Sequence, residues 1–131
     1  LPIAMDDTAI QLYTSGTTGP PTGVELTNAN YFAVFSALAS DPSSGLNWNA
    51  GDVTLVCMPV FHVAGVNVGV LSIVQGCTGV VLRDIDPGRI LDLIQRHRIN
   101  HAFFVPAVIL FLTQHPAAQS TDFGSLRNIS Y

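Results

Sequence analysis

The amino-acid sequence predicts an α/β fold with a mostly parallel sheet and flanking helices. Residues 53–58 (VTLVCM) form a continuous apolar run that stops at Pro59, which is typical of a strand buried on both faces. Asp86-Pro87 is a strong helix start, because Asp caps free N–H groups and Pro suits the first turn. Strand and helix patterns alternate about four times, and that alternation favours parallel strands joined by helices.

The first part of the chain predicts a strand–loop–strand unit followed by a helix. Residues 8–14 are rich in β-branched and aromatic residues, and residues 22–27 alternate polar and apolar side chains. Residues 15–21 contain Gly, Thr and Pro, so they must form a loop. We expect a helix over residues 29–39, with Thr27 or Asn28 as its N-cap.

The later part predicts three more strands and two more helices after the strand at residues 53–58. Residues 62–75 suit either a strand or a buried helix; as a helix, they would place Gly65 and Gly69 on one face for close packing. Trp48 falls in a polar turn, and the pattern assigns it no role. The remaining predictions are strands at residues 79–82, 101–105 and 126–131, and helices at residues 87–99 and 107–114.

The composition excludes some classes of protein. Of 131 residues, 48% are hydrophobic and 11% charged, and such an apolar chain predicts a piece of a larger protein whose exposed faces favour self-association. The net charge is −4, with five arginines in no basic run and no lysine, so nucleic acid is not an expected partner. Cys57 and Cys77 lack zinc-site spacing and indicate reduced thiols, which suits a cytoplasmic protein. Polar residues and glycines interrupt the longest apolar stretch, so we expect no transmembrane segment.

Residues 14–23 (TSGTTGPPTG) carry the clearest chemical signal. Glycines can adopt positive φ and let the backbone approach a ligand, successive N–H groups can form an anion-binding nest, and hydroxyls can donate to phosphate oxygens. The segment lacks the Lys-Ser/Thr pair of a Walker loop and is not GxGxxG. By composition alone, phosphate binding and an ordinary turn between strands are equally good interpretations.

The string YTSGTTGPPTGV at residues 13–24 resembles the phosphate loop of the adenylate-forming superfamily, usually [Y/F]TSGTTGxPKGV. MPVFHVAG at residues 58–65 is similar to the PxFHxxG segment of acyl- and aryl-CoA ligases. Residues 86–106 and 126–131 resemble the units that follow in those enzymes, in the same order. We therefore expect residues 1–131 to be one partial domain, from the large N-terminal AMP-binding domain of such an enzyme.

The resemblance implies an ATP-dependent acyl-CoA ligase. In such enzymes a carboxylate attacks ATP to give an acyl-adenylate and pyrophosphate, and coenzyme A then displaces AMP; Mg²⁺ shares the phosphate charge. The acid is expected to be fatty. The resemblance assigns phosphate binding to Thr14, Ser15, Gly16, Thr17, Thr18, Gly19, Thr22 and Gly23, and a substrate pocket to His62, Phe61 and Gly65. It places the catalytic and metal-binding groups of the family beyond Tyr131, so this chain alone is expected to be inactive.

Two departures from the family pattern keep alternatives open. Thr22 stands where the family usually has lysine, and Asn28 where it usually has histidine. Losing the lysine removes a charged donor to the phosphates, which leaves a non-catalytic or degenerate nucleotide-binding module as one alternative. A peptide-synthetase-type adenylation segment is another, although His62 and its neighbours argue against it. From its position alone, His62 could also be a solvated or hydrogen-bonded histidine at a strand end.

Overall fold

The computed structural model describes residues 2–16, 19–41, 45–46 and 48–131. The chain divides into two compact units, Leu1–Asn47 and Trp48–Tyr131, which we call the hairpin unit and the sheet unit. Among the described residues, no helix is both long and apolar enough to cross a membrane.

The hairpin unit consists of two strands and one helix. Strands β1 (Thr8–Thr14) and β2 (Thr22–Thr27) pair antiparallel, with Thr14 opposite Thr22. Helix α1 spans Asn28–Ala39. Its start is fixed by a reciprocal cap, because the Asn30 N–H donates to Thr27 Oγ1 at 3.3 Å and the Thr27 N–H donates to Asn30 Oδ1 at 3.0 Å. The predicted strands and helix of this part of the sequence are confirmed, with Thr27 as the cap, and the loop is described at residues 15–16 and 19–21.

The sheet unit contains four parallel strands in the order β4-β3-β5-β6. The predicted α/β class with a mostly parallel sheet is therefore confirmed, the antiparallel hairpin being the exception. A short 3-10 helix spans Pro116–Gln119. The strands are β3 (Val53–Val56), β4 (Thr78–Val81), β5 (His101–Phe103) and β6 (Asn128–Ser130), and the helices are α2 (Val63–Val74), α3 (Pro87–Arg96) and α4 (Pro106–Gln114).

The core of the sheet unit lies between the apolar strands and one face of α3. Asp86 caps this helix by accepting from the Arg89 N–H at 2.9 Å, and Pro87 opens its first turn, as the sequence predicts. The exposed face carries the Asp92–Arg96 ion pair at 2.9 Å. Fully buried side chains of this core include Leu55, Ile90, Leu91, Ile94, Ile99 and Phe104.

The structure corrects several details of the sequence-based assignment. Residues 62–75, which suited either a strand or a helix, contain α2. The expected strands at residues 53–58, 101–105 and 126–131 are shorter, since pairing stops at Val56, Phe103 and Ser130. Apolar character continues beyond β3 and β5 because the chain stays in the core after it leaves the ladder, as buried Cys57, Met58 and Phe104 show.

Candidate functional site

The loop of residues 15–21 connects the paired ends of β1 and β2. Thr14 Oγ1 donates to the Thr22 carbonyl oxygen at 3.4 Å, which joins the two strands at the base of the loop. Ser15, Gly16 and Gly19 are exposed, as are Thr14 and Thr22. Thr17 and Thr18, which the sequence assigns to phosphate binding, lie outside the described residues. The described loop therefore presents hydroxyl and backbone groups to solvent on a paired hairpin.

The glycines of the loop leave space around the backbone. A Cβ at Gly19 would meet nothing within 4 Å, and one at Gly16 would reach the Pro20 carbonyl oxygen only at 3.6 Å. At Gly23 a Cβ would lie 2.7 Å from Gln11 Nε2 on the opposite strand. Neither Gly16 nor Gly23 has a positive φ, so the expectation that the loop glycines supply that conformation is wrong for these two. Gly23 instead leaves room for a cross-strand side chain.

His62 stands between β3 and α2 and caps the helix. The backbone N–H of His62 donates to the Pro59 carbonyl oxygen at 3.0 Å, and the ring Nδ1 accepts from the Ala64 backbone N–H at 3.4 Å. Because Nδ1 accepts this hydrogen bond, a neutral imidazole ring carries its proton on Nε2. The side chain is exposed, so His62 is a hydrogen-bonded cap within reach of solvent.

Gly65 lies in the first turn of α2 and packs on the chain that follows β3. A Cβ there would come within 2.2 Å of the Pro59 carbonyl oxygen and 2.3 Å of that of Met58. Only glycine permits this approach, which fixes the helix start against residues 58–59. Gly69 differs, because a Cβ there would meet nothing within 4 Å. The expected close packing of two glycines is therefore correct for Gly65 and wrong for Gly69.

An open groove of about 770 Å³ lies at the carboxyl ends of β3 and β4. Its wall is formed by residues 58–61 and 81–85, which are mostly apolar and include Arg83 and Asp84. Phe61, 80% exposed, contributes to this wall, whereas His62 and Gly65 are not among the described residues that line it. Ligands of parallel α/β sheets commonly bind beyond the carboxyl ends of the strands. The substrate roles of Phe61, His62 and Gly65 stay predictions.

A polar cluster at the amino edge of the sheet was not predicted from the sequence. Asp52 Oδ2 lies 2.8 Å from His101 Nε2, and Asp52 Oδ1 accepts from Arg127 Nη1 at 2.8 Å. Trp48, which the sequence left without a role, is buried and stacks on His101 with ring centroids 5.0 Å apart. The sequence did contain a signal for this cluster, because a polar residue stands at or just before the start of β3, β5 and β6. These strands are parallel, so their amino ends lie at the same edge of the sheet.

In the sheet unit, Asp52, Cys57 and Cys77 have shifted pKa values, and burial raises that of the Cys77 thiol. Burial acts to raise the pKa of Asp52, but hydrogen bonds from His101 and the Asn49 N–H and the charge of Arg127 bring it below its ordinary value. Burial raises the pKa of the Cys57 thiol to about 12, which keeps the thiol protonated and unreactive. No group of three or more His, Cys, Asp or Glu side chains that could hold a metal occurs in the described parts of the chain.

The comparisons with known proteins decide the family. Residues 1–131 match the family described as AMP-binding enzyme. The chain belongs to that family. Among curated relatives, the fatty acid–[acyl-carrier-protein] ligase ScoC of Streptomyces coeruleorubidus is 36% identical over 129 residues, covering 98% of this chain and 25% of ScoC. This AMP-binding chain therefore spans about a quarter of that relative.

Two solved structures have the same fold as this AMP-binding chain. The N-terminal domain of FACL13 from Mycobacterium tuberculosis matches with a TM-score of 0.81 and 31% identity, covering 95% of this chain and 30% of that one. The Bacillus subtilis o-succinylbenzoate coenzyme A synthetase MenE, in complex with ATP and magnesium ion, matches with a TM-score of 0.78 and 31% identity, covering 97% and 25%. The chain is thus an α/β segment of an adenylate-forming ligase family, as the sequence predicts.

Proposed function

We propose that residues 13–24 hold the β- and γ-phosphates of ATP in an acyl-CoA ligase reaction. The observation that carries the proposal is the exposed hairpin loop, where the Ser15 hydroxyl and the open surface at Gly19 can meet an anion. In this reaction a carboxylate attacks the α-phosphate of ATP, an acyl-adenylate forms and pyrophosphate leaves. A loop that holds the outer phosphates positions ATP and stabilises the charge on the leaving pyrophosphate.

Thr22 bears directly on how strongly ATP is held. It is exposed next to the loop, in the place where the family pattern has a lysine, and a hydroxyl is a weaker phosphate donor than an ammonium group. The chain contains no lysine that could replace it. Backbone N–H groups and hydroxyls must therefore supply the contacts, and Thr14, Ser15, Thr17, Thr18 and Thr22 are the proposed hydroxyl donors.

Magnesium and coenzyme A are proposed as co-substrates of the longer enzyme. Mg²⁺ would arrive with ATP, as in the MenE complex, and would share the phosphate charge. The described residues include no cluster of acidic ligands for it, so we assign no step to a metal held by this chain. Coenzyme A would supply the thiol that displaces AMP, although the acceptor named for ScoC is an acyl carrier protein.

The acid is proposed to be a fatty acid. The groove beyond β3 and β4 has an apolar wall that includes Met58, Val60 and Phe61, which suits a hydrocarbon chain more than a polar acid. The substrate named for ScoC is likewise a fatty acid, whereas MenE is named for an aromatic one. Activation of medium-chain fatty acids and not of o-succinylbenzoate by the longer enzyme would support this choice; the opposite preference would contradict it.

Calorimetric titration of the chain with ATP and with AMP, each with Mg²⁺, tests the phosphate assignment. The proposal requires tighter binding of ATP, because AMP lacks the two outer phosphates. Ser15→Ala should weaken ATP binding by about three- to tenfold, the usual effect of losing one hydrogen bond. Ser120→Ala, which removes an exposed hydroxyl in the sheet unit, is the control and should have no effect. Equal affinities for ATP and AMP would refute the assignment.

The isolated chain is proposed to bind ATP without forming acyl-adenylate, because the family places its catalytic groups beyond the last residue of this segment. A hydroxylamine trap would convert any acyl-adenylate to a hydroxamate that is readily measured. We expect no hydroxamate from the chain alone and turnover from a longer protein that contains it. The alternative, a non-catalytic nucleotide-binding module, predicts that the longer protein also gives none while still binding ATP.

A further inference from the structure

Asp52, Asn100, His101 and Arg127 meet at the amino edge of the four-stranded sheet. Asp52 directly precedes β3, His101 is the first residue of β5, and Arg127 directly precedes β6. The Asp52 carboxylate contacts both His101 and Arg127. Its Oδ2 lies 2.8 Å from His101 Nε2, and its Oδ1 lies 2.8 Å from Arg127 Nη1. The groove and His62 follow the carboxyl ends of β3 and β4, so this cluster is separate from the candidate substrate site.

Asn100 adds a second layer of contacts between the same three strands. Its Oδ1 accepts from the Val53 N–H at 2.8 Å, and its Nδ2 donates to the Ser125 carbonyl oxygen at 3.1 Å. Its own carbonyl oxygen accepts from the N–H groups of Arg127 at 2.8 Å and Asn128 at 3.2 Å. The chain entering β6 is therefore joined to the start of β5 by backbone bonds and to β3 through side chains.

β6 depends on these contacts more than β4 does. β4 has four residues, each paired with β3, and α2 also packs against it. β6 has three residues paired with β5, which is itself only three residues long. Ile129, in the middle of β6, is 43% exposed. The polar cluster supplies the side-chain contacts that join the start of β6 to β3.

The charges of the cluster are balanced around a buried carboxylate. The Asp52 side chain is 7% exposed, and its pKa is lowered, since burial, which would raise it, is outweighed by His101, the Asn49 N–H and Arg127. Arg127 is 55% exposed, and among the described residues it is the one arginine that contacts Asp52. His101 is buried under Trp48, and its Nδ1 has no hydrogen-bond partner among the described residues.

We propose that the Asp52–Arg127 pair is an electrostatic clasp that keeps β6 docked on the sheet, and that loss of the Arg127 charge lets β6 open as a local unit. The remaining sheet, β4-β3-β5, keeps its ladder and its core in that opened state. Such partial opening is typical of segments with few buried apolar contacts. The clasp thus makes the position of β6 depend on charge, whereas the position of β4 depends on pairing and packing.

Amide hydrogen exchange of the chain, followed by NMR, tests the clasp. The key variant is Arg127→Gln, and its matched control is Arg96→Gln. Each variant removes the arginine of an Asp–Arg pair, and the two arginines are similarly exposed, Arg127 at 55% and Arg96 at 59%. The aspartates differ, because Asp52, the partner of Arg127, is 7% exposed and Asp92, the partner of Arg96, is 34% exposed. The amides to follow across the β5–β6 edge are those of Phe104, which donates to the Ser130 carbonyl oxygen, and Asn128. The reference amides are those of Thr78 and Leu82, which bond β4 to β3.

Arg127→Gln should raise the exchange rates of the Phe104 and Asn128 amides about tenfold, corrected for intrinsic rates, with less than a twofold change at the two reference amides. Arg96→Gln should leave both pairs within twofold of the parent. Arg127→Lys, which retains the charge, should restore most of the protection at β6. Equal acceleration of both amide pairs by Arg127→Gln would overturn the proposal, because the pair would then support the whole sheet. No acceleration beyond that of Arg96→Gln would overturn it as well.

Discussion

The hairpin unit and the sheet unit obtain their structures in different ways. The sheet unit has a core of fully buried side chains, whereas no described residue of the hairpin unit is buried. The hairpin is held by strand pairing and by the reciprocal cap between Thr27 and Asn30. Residues with the clearest chemical signal in the sequence lie in the hairpin unit, and residues whose positions packing explains lie in the sheet unit. A motif can therefore identify a family without being part of a hydrophobic core.

The two glycine positions Gly65 and Gly16 give the sharpest contrast between the units. Gly65→Ala should destabilise the sheet unit by about 3 kcal/mol, because its Cβ would overlap backbone carbonyl groups that cannot rotate away. Gly16→Ala should leave stability nearly unchanged, since its Cβ would make only ordinary contacts, the nearest at 3.6 Å. Urea unfolding followed by circular dichroism measures both effects.

Gly69→Ala serves as the control on the same helix as Gly65. Its Cβ would meet nothing within 4 Å, so the better helix propensity of Ala should stabilise the protein by about 0.5–1 kcal/mol. Comparable losses of stability for Gly65→Ala and Gly69→Ala would show that helix α2 does not rest on residues 58–59 in the way described.

The second prediction concerns acid and separates the charged cluster of the sheet unit from the hairpin unit. The pKa of Asp52 is lower in the folded state than its ordinary value. Its contribution to the free energy of unfolding is therefore complete above the unfolded pKa and is lost as the pH falls through the folded pKa. As the pH falls below about 4, we expect the free energy of unfolding to decrease progressively, because Asp52 is then protonated more readily in the unfolded chain than in the folded one.

Unfolding of the parent chain and of Asp52→Asn, measured across this pH range, isolates the Asp52 contribution. The variant should start from a lower stability and show a flatter dependence on pH. The single tryptophan, Trp48, stacks on His101, so its fluorescence follows the sheet unit. Asp92→Asn removes a carboxylate from an exposed helical pair and should change the pH dependence little. Parallel pH profiles for the parent and Asp52→Asn would contradict the prediction.

The third and smallest expected effect tests whether the hairpin loop binds phosphate. Thr22→Lys restores the charged donor of the family pattern and should tighten ATP binding about tenfold, or by about 1.4 kcal/mol. Gln119→Lys adds the same charge at an exposed position of the sheet unit and is the matched control. Calorimetry with ATP should show the gain only for Thr22→Lys. An equal gain for both variants would point to a general charge effect and away from the loop.

Much of the fold could be predicted because its signals are local. Asp86-Pro87 marks the start of α3 through one side-chain acceptor and one fixed φ, and the structure has the helix there. β1 has the predicted limits, Thr8–Thr14, because its β-branched and aromatic residues mark the strand and the loop residues that follow mark its end. The ends of β3 and β5 were placed too late, since an apolar side chain can be buried on a strand or just beyond it. Pairing, and not hydrophobicity, decides where a strand ends.

The candidate site was predicted unevenly for a related reason. The loop residues could be named because a contiguous string carries the resemblance, and the prediction of their binding role awaits the ATP titration. Gly65 could be named from its motif, but its approach to the Met58 and Pro59 carbonyl groups is a property of how α2 packs. The groove also needed the structure, because β3 and β4 are separated in sequence by the whole of α2.

By itself the sequence determined the α/β class, the hairpin strands, the Asp86 cap of α3 and membership of the AMP-binding enzyme family. Each of these depends on residues that are near one another in the chain or on a motif read in one piece. Only the tertiary structure decided that His101 and Arg127 both contact the Asp52 carboxylate, although Asp52 and Arg127 are 75 residues apart. It also placed Trp48 on the His101 ring. Strand order sets that arrangement, because parallel pairing brings the amino ends of distant segments to a single edge.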